Sequence, residues 1–316
     1  MKPYVFGVDI GGTTIKLGFF STDGRLLDKW EIPTDKSENG KNILSDAAAA
    51  IADKMAEKKI TGKEVEGIGI GVPGPVDPAG VVHRCINIGW GIVDIKQELN
   101  RLLPDIPNVA AANDANVAAL GELWQGGAKG CSSAVMITVG TGIGGGVVIN
   151  GKIIAGANGG AGEIGHITVK PDETVACNCG KCGCLEQYTS ANGIVFLAKR
   201  MLAESDKPSK LREMEVFTSR EICDLAREGE EMAKDIIEQF GCYLGSAMSY
   251  VGCAVDPEVF IIGGGMSKAG SIVTDAVMKH YSKNVFHISA NTKAVIATLG
   301  NDAGIYGCAR MVLPEI

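Results

Sequence analysis

One short stretch of the chain, residues 162–186, holds four cysteines and a histidine: Cys177, Cys179, Cys182 and Cys184 stand two or three positions apart, and His166 lies upstream. Thiolate and imidazole are the ligand types zinc prefers. Four of them in tetrahedral array can hold an irregular loop that has no core of its own. Glu163 and Glu186 border the segment and are not needed by a metal, so a zinc knuckle that displays polar groups is the expectation.

Two further constellations could handle phosphate and proton. Asp9 stands before Gly11-Gly12-Thr13-Thr14 and Lys16. Glycines let backbone N–H groups converge on an anion, hydroxyls add donors, and a carboxylate at a strand end could hold Mg²⁺ through water. Thr141-Gly142 and Gly263-Gly264-Gly265 supply similar turns, while the lysine-containing P-loop pattern is absent. Each turn alone is also compatible with an ordinary hairpin. Asp114 follows a small-residue strand and Asn113. It could accept a proton from a substrate hydroxyl, or it could merely cap the helix that starts at Ala115; position alone leaves both open.

The elements that must position these groups follow from periodicity. Tyr4 to Phe20 reads as strand, glycine turn, strand, and Asp23-Gly24 opens a second hairpin toward Leu26–Ile32, which makes an antiparallel meander. Helix is expected at Ile43–Lys58, a buried strand at Gly67–Val72 running into Pro73-Gly74-Pro75, and a short helix at Asp94–Leu103. A strand at Val109–Ala112 and a helix at Ala115–Trp124 complete the first half. Then the pattern restarts. Ala134 to Ile149 laid on the first motif matches Asp9 with Thr138, Gly11 with Gly140 and Leu17–Phe20 with Gly146–Ile149. A duplicated α/β fold with a cleft between the copies is expected. Helices near Ala191–Glu204, Ser219–Glu228, Glu230–Val251 and Ile272–Ser282 and strands at Val259–Gly263 and Ala294–Thr298 follow. A last helix, Ala303–Val312, is expected to cross back to the first domain.

Composition narrows the class of protein. At 316 residues two domains are favoured over one. A net charge of −7 gives no electrostatic footprint for nucleic acid or an anionic membrane. The uncharged run Gly130–Gly151 is long enough to span a bilayer, but Gly140, Gly142, Gly144, Gly145 and Gly146 mark a turn between strands. No secretion signal is read at the start, so the ten cysteines are expected to be reduced in the cytosol. Cys85, Cys131, Cys223, Cys242, Cys253 and Cys308 lie among small and apolar neighbours and are expected to be buried small hydrophobes.

The motifs DIGGTTIK, GVPGPVD, NDANVAALGE, TVGTGIGGG, GGAGEIGH and CNCGKCGCLE occur in an order and spacing that resemble the ROK family of sugar kinases, over essentially the whole chain. The GEIGH form is similar to that of bacterial ROK glucokinases. The resemblance implies two duplicated actin-like ATPase, ribonuclease H-like domains: 1–113 with 301–316, and 114–300 carrying a zinc loop at 166–184. Hinges near Asn113 and Gly300 would close on a sugar and a nucleotide held between the domains. It also implies a reaction, the ATP-dependent phosphorylation of glucose at its 6-hydroxyl, with Asp114 as base. Asn113, Glu163, His166 and Glu186 would be the sugar ligands, with Gly74 and Asn87 lining the same pocket; a plain turn remains open for Asn87.

Asp9, Gly11, Gly12, Thr13, Thr14, Lys16, Thr141, Gly142, Gly264 and Gly265 would serve ATP and Mg²⁺. Zn²⁺ would be structural, on His166, Cys177, Cys179 and Cys184. Cys182 departs from the family pattern and leaves an all-cysteine set as an alternative. The family's repressors carry an amino-terminal helix-turn-helix, and none is read here. Assembly as a homodimer or homotetramer is implied. Mannose, fructose, allose or an N-acetylated hexosamine as acceptor, polyphosphate as donor, a sugar-sensing regulator without turnover and an independent zinc-ribbon module are the rival readings.

Overall fold

The computed structural model describes residues 2–314. Two compact units divide the chain: the first runs to Met136 and takes in Gly146–Gly162 and the residues from Thr298 on, and the second comprises Ile137–Gly145 and Glu163–Ala297.

In the first unit β1 (Tyr4–Ile10), β2 (Thr14–Ser21) and β3 (Leu26–Pro33) form the expected antiparallel meander. Helix α1 (Ile43–Lys58) leads to β4 (Val65–Val72), parallel to β1. Two antiparallel strands of two residues each, β5 (Val81–Val82) and β6 (Val93–Asp94), precede α2 (Ile95–Leu102), whose first turn is capped by the Asp94 carboxylate. Strand β7 (Val109–Asn113) pairs parallel with β4 and runs straight into α3 (Asp114–Gln125).

Strand alternation decides which way each residue points. Phe6, Val8 and Ile10 of β1 and Ile68 and Ile70 of β4 join one apolar cluster with Ile43, Ile51 and Leu99 of the helices on that face. Val5, Gly7 and Asp9 are on the other face, as are Gly67, Gly69 and Gly71 of β4. That face receives the terminal helix. A Cβ at Gly69 would run into the Cys308 carbonyl, so the glycine row is what lets a helix lie directly on the strands. There Val5 and Phe20 are buried with Ile305 and Ala309.

Strands β8 (Ala134–Val139), β9 (Ile143–Ile149) and β10 (Lys152–Ile153) begin the repeat. Helices α4 (Glu186–Thr189), α5 (Ala191–Ala203), α6 (Ser219–Arg227) and α7 (Glu231–Val255) follow, then β11 (Val259–Gly263), α8 (Ser271–Asn284) and β12 (Lys293–Ile296). The two sheets have the orders β3-β2-β1-β4-β7 and β10-β9-β8-β11-β12. Read strand for strand these are the same order, so the duplication expected from the glycine turns extends to the whole sheet. In the second unit α7 packs along α8, and Phe260 meets Tyr281 edge to face at 5.1 Å.

Helix α9 (Ala303–Met311) returns to β1 and β4 and packs tightly on α3, where Gly307 faces the Val117 carbonyl with no room for a side chain. This packing is why the compact units depart from the expected division at residue 113: α3 and β10 belong with the first unit. A fully buried carboxylate, Glu122 on α3, fastens the returning segment. It accepts backbone N–H groups from Thr298 at 2.9 Å, Leu299 at 2.8 Å and Gly127 at 2.8 Å. Among the described residues no helix is long and apolar enough to cross a membrane.

Candidate functional site

Each unit gathers one part of the expected site. In the first, the Asp9 side chain points to the face where α9 begins, and a Cβ at Gly304 would collide with its carboxylate. Burial, with a smaller push from the Asp114 charge and an opposing pull from Lys16, raises the Asp9 pKa to about 6. The adjoining turn is closed by Gly11 N–H on the Thr14 carbonyl at 3.0 Å and braced by the Thr34 hydroxyl, which donates to the Gly11 carbonyl at 2.7 Å. Gly11, Gly12, Thr13 and Thr14 all keep some exposure, so the turn stays open to solvent. The Lys16 ammonium donates to the Asn301 carbonyl at 3.0 Å, which brings the segment before α9 to the same place.

The cap question at Asp114 is answered by its neighbour. Asn113 is the N-cap of α3: its Oδ1 accepts from Ala115 N–H at 2.9 Å and Asn116 N–H at 3.3 Å. Asp114 is thus the first helical residue, with its Oδ1 accepting from Ala115 N–H at 2.8 Å. Asn113 also donates through Nδ2 to the Gly74 carbonyl at 3.3 Å, which ties the α3 start to the glycine–proline loop. That loop is backed by Cys85, whose thiol donates to the Pro73 carbonyl at 3.1 Å and whose pKa is pushed up by burial. Asn87 stands exposed in a short 3₁₀ turn whose carbonyl lies 3.8 Å from where a Gly12 Cβ would be, so loop and phosphate turn are neighbours.

In the second unit the echo turn closes one residue sooner: Gly140 N–H reaches the Gly142 carbonyl at 3.0 Å. Glu186, at the start of α4, accepts the Ile143 N–H through Oε2 at 2.8 Å, and a Cβ at Gly142 would come within 2.5 Å of that oxygen. A residue expected to serve the sugar is thus bonded to the turn expected to serve phosphate, a link that spacing does not reveal. Gly264 has φ 81° and lies on the Val139 backbone with no room for a Cβ, so the third glycine turn lies against the strand that leads into the second. Beside Gly265 a cavity of about 410 Å³ is lined by Arg220, Arg227 and Lys268. These three cations were not among the expected ligands, because basic residues on helix surfaces read as solvated charge. A larger cavity of about 650 Å³ in the first unit, beside Lys96 and Ala110–Ala112, contains none of the expected site residues.

His166, Cys177, Cys179 and Cys184 converge, with their ligand atoms all within 4.8 Å of one another. The Cys179 and Cys184 sulfurs are 3.6 Å apart. Tetrahedral zinc with bonds near 2.3 Å requires ligand separations of about 3.7 Å, so the set is the right size. The donor chemistry fits as well. His166 Nδ1 is buried with no hydrogen-bond partner, as a ligand nitrogen must be, while Nε2 points toward Glu163 at 3.9 Å. Burial pushes the Cys184 thiol up to about 12, so a thiolate there needs a cation beside it. Cys182 is not part of the cluster; its backbone bridges to Ala176 instead. The histidine-containing set, and not the all-cysteine one, is what the fold assembles.

Known proteins resemble this chain over nearly its full length. The ROK family model matches residues 5–315. A glucokinase of Halalkalibacterium halodurans is 40% identical over 308 residues, covering 95% of this chain and 92% of that protein. A ROK family glucokinase from Streptomyces griseus, solved in complex with glucose and AMPPNP, superposes with a TM-score of 0.68 at 32% identity, covering 97% of this chain and 98% of that one. ROK hexokinase from Thermus thermophilus gives 0.76 at 33% identity, with 98% and 97% covered. With the family model spanning nearly its full length and the duplicated sheets, glycine turns and Cys/His cluster in place, the chain belongs to the ROK family.

Proposed function

We infer that the chain transfers the γ-phosphoryl group of ATP to the 6-hydroxyl of glucose. The observation that carries this reading is the pair at the start of α3. Asn113 takes the cap, which leaves the Asp114 carboxylate as the first helical residue, in the same half of the site as a half-buried Asp9. Asp114 is the base: it accepts the proton of the 6-hydroxyl as that oxygen attacks phosphorus. The similarity to glucokinases over nearly the whole chain supports glucose as acceptor.

The sugar's other hydroxyls are assigned to Asn113, Glu163, His166 and Glu186, with Gly74 and Asn87 as pocket lining. An amide can give or take a hydrogen bond and a carboxylate takes one, so a ring that mixes them discriminates stereochemistry. Gly12, Thr13 and Thr14, Thr141 and Gly142, and Gly264 and Gly265 are assigned as backbone and hydroxyl donors for the nucleotide, with Gly11 shaping the first turn and Lys16 adding charge. Mg²⁺ would neutralise phosphate charge when bound, and Asp9 is the carboxylate that would hold it through water. Zinc would be held by His166, Cys177, Cys179 and Cys184 and would be structural; with Nδ1 on the metal, the His166 ring keeps Nε2 for the sugar beside Glu163. Reduced cysteines and the family resemblance support a cytosolic homodimer or homotetramer.

An ADP-release assay over a panel of hexoses tests the reading, together with Asp114→Asn. Glucose should give the highest kcat/KM, and the variant should lose about 10²–10⁴-fold in kcat with its fold and metal content unchanged. Near-normal turnover in a folded, zinc-loaded variant would remove Asp114 from the mechanism. ADP formation that no hexose stimulates would favour a sugar-sensing protein.

A further inference from the structure

We propose that Glu173 is a positioning residue for the acceptor site: it anchors the zinc loop independently of the metal and, through Tyr188, holds Glu186 in place. The proposal rests on the assignment of His166 and Glu186 to the hexose.

Glu173 is one of the few charged side chains the fold buries, at 6% exposure. Its two oxygens collect donors from three elements. Oε1 accepts the backbone N–H groups of Thr174 at 2.8 Å and Val175 at 2.9 Å, and Arg200 Nη2 at 3.4 Å. Oε2 accepts the Tyr188 hydroxyl and Arg200 Nη1. The Tyr188 bond, then the backbone and Arg200 bonds, hold the Glu173 carboxyl down to about 2 against the effect of burial, so it is ionised at any working pH.

The donors are themselves fixed. Tyr188 is fully buried and stacks at 4.8 Å on Tyr243 of α7. Arg200 projects from α5 with its guanidinium 4.9 Å from the Phe196 ring. Tyr188 belongs to α4, two residues beyond Glu186 on the same four-residue helix. Gln187, between them, donates to the Val175 carbonyl at 2.9 Å, so the loop arm and α4 are joined at adjacent positions.

The loop therefore has two fasteners. The metal ligands tie His166 to Cys177–Cys184, while Glu173, between them in the chain, grips the helix that carries Glu186. A helix of one turn has little stability of its own, so the direction of the Glu186 carboxylate depends on such contacts. The Ile143 N–H holds that carboxylate on one side, and the Glu173–Tyr188 bond holds its helix on the other. If only packing were at stake, an apolar residue would serve better than a buried charge, which is costly unless fully paired.

The test is Glu173→Gln in the full-length zinc-loaded protein. The amide keeps the shape but turns an N–H₂ toward Arg200 and Tyr188. Glucose KM should rise about tenfold while ATP KM and kcat stay within about threefold, and zinc should pass to a chromophoric chelator about tenfold faster. Tyr188→Phe, which removes one donor and no charge, should show the same pattern at about threefold, and it decides the matter if the Gln variant does not fold. A folded variant with glucose KM and zinc release both within about twofold of wild type would overturn the proposal. So would equal rises in both KM values, the mark of general loosening. A wild-type protein that phosphorylates no hexose would instead overturn the assignment on which the proposal rests, so the two failures are told apart.

Discussion

Replacing Asp9 with Asn removes a charge from the point where β1 meets the first turn of α9, and the effect on stability can be worked from its burial. The Asp9 pKa rises from 3.8 to about 6, with desolvation the largest cause, then the Asp114 charge, and Lys16 opposing. A carboxyl with a native pKa above its unfolded one binds more protons when folded between those values. Stability therefore falls as pH rises through this window, and the full penalty is present above pH 6. The shift of 6 minus 3.8 is about 2.2 units, or about 3 kcal/mol of strain in the ionised native state. At about pH 5 roughly half of that has developed.

Asp9→Asn should thus be more stable than wild type by about 1.5 kcal/mol at about pH 5 and by about 3 kcal/mol at about pH 8. Urea melts of both proteins at the two pH values measure the difference, and other titrating groups largely cancel in it. The same variant should lose most of its kinase activity, since a carboxylate held in an unfavourable place is one a cation can reward. A stability difference that does not change with pH would refute the reasoning, as would an Asn variant less stable than wild type at about pH 8.

Two further perturbations probe the second unit. Gly142→Ala places a methyl in the turn itself as well as against the Glu186 carboxylate, and should therefore raise the KM of ATP and of glucose together, by about tenfold each in steady-state assays. Removing zinc with a chelator should raise glucose KM by at least about tenfold, through release of the His166 ring, while circular dichroism still reports a folded chain held by the Glu173 anchor.

Much of this architecture is legible in the residues themselves. Glycine turns between β-branched strands recur at the same offsets, so the repeat is visible, and helices such as α1 and α3 follow from apolar spacing within a residue or two of their observed ends. Short elements escaped for a physical reason. The β5–β6 hairpin and β10 are two residues a strand, and α4 is a single turn, so none can show a period. The role of Asp114 was ambiguous because Asn113 and Asp114 are both good caps; only backbone geometry shows that the first of them does the capping. Residues whose importance lies in what they collect were invisible. Glu173 and Glu122 look like surface acids in a chain with many, and their burial becomes apparent only when Tyr188 and Arg200, or Thr298 and Leu299, arrive from distant parts of the sequence.

The return of α9 to the first sheet has a consequence for biosynthesis. Val5 and Phe20 are covered by Ile305 and Ala309, and the buried Glu122 is satisfied by Thr298 and Leu299, so one face of a sheet begun at residue 4 waits for residues some 300 positions later. During synthesis at about 5–20 residues per second that face stays uncovered for roughly 15 to 60 seconds. Its row of glycines then carries a second benefit. The sheet waits with little apolar side chain on show along β4, which lowers the hazard of premature association until the helix that fits it has been made.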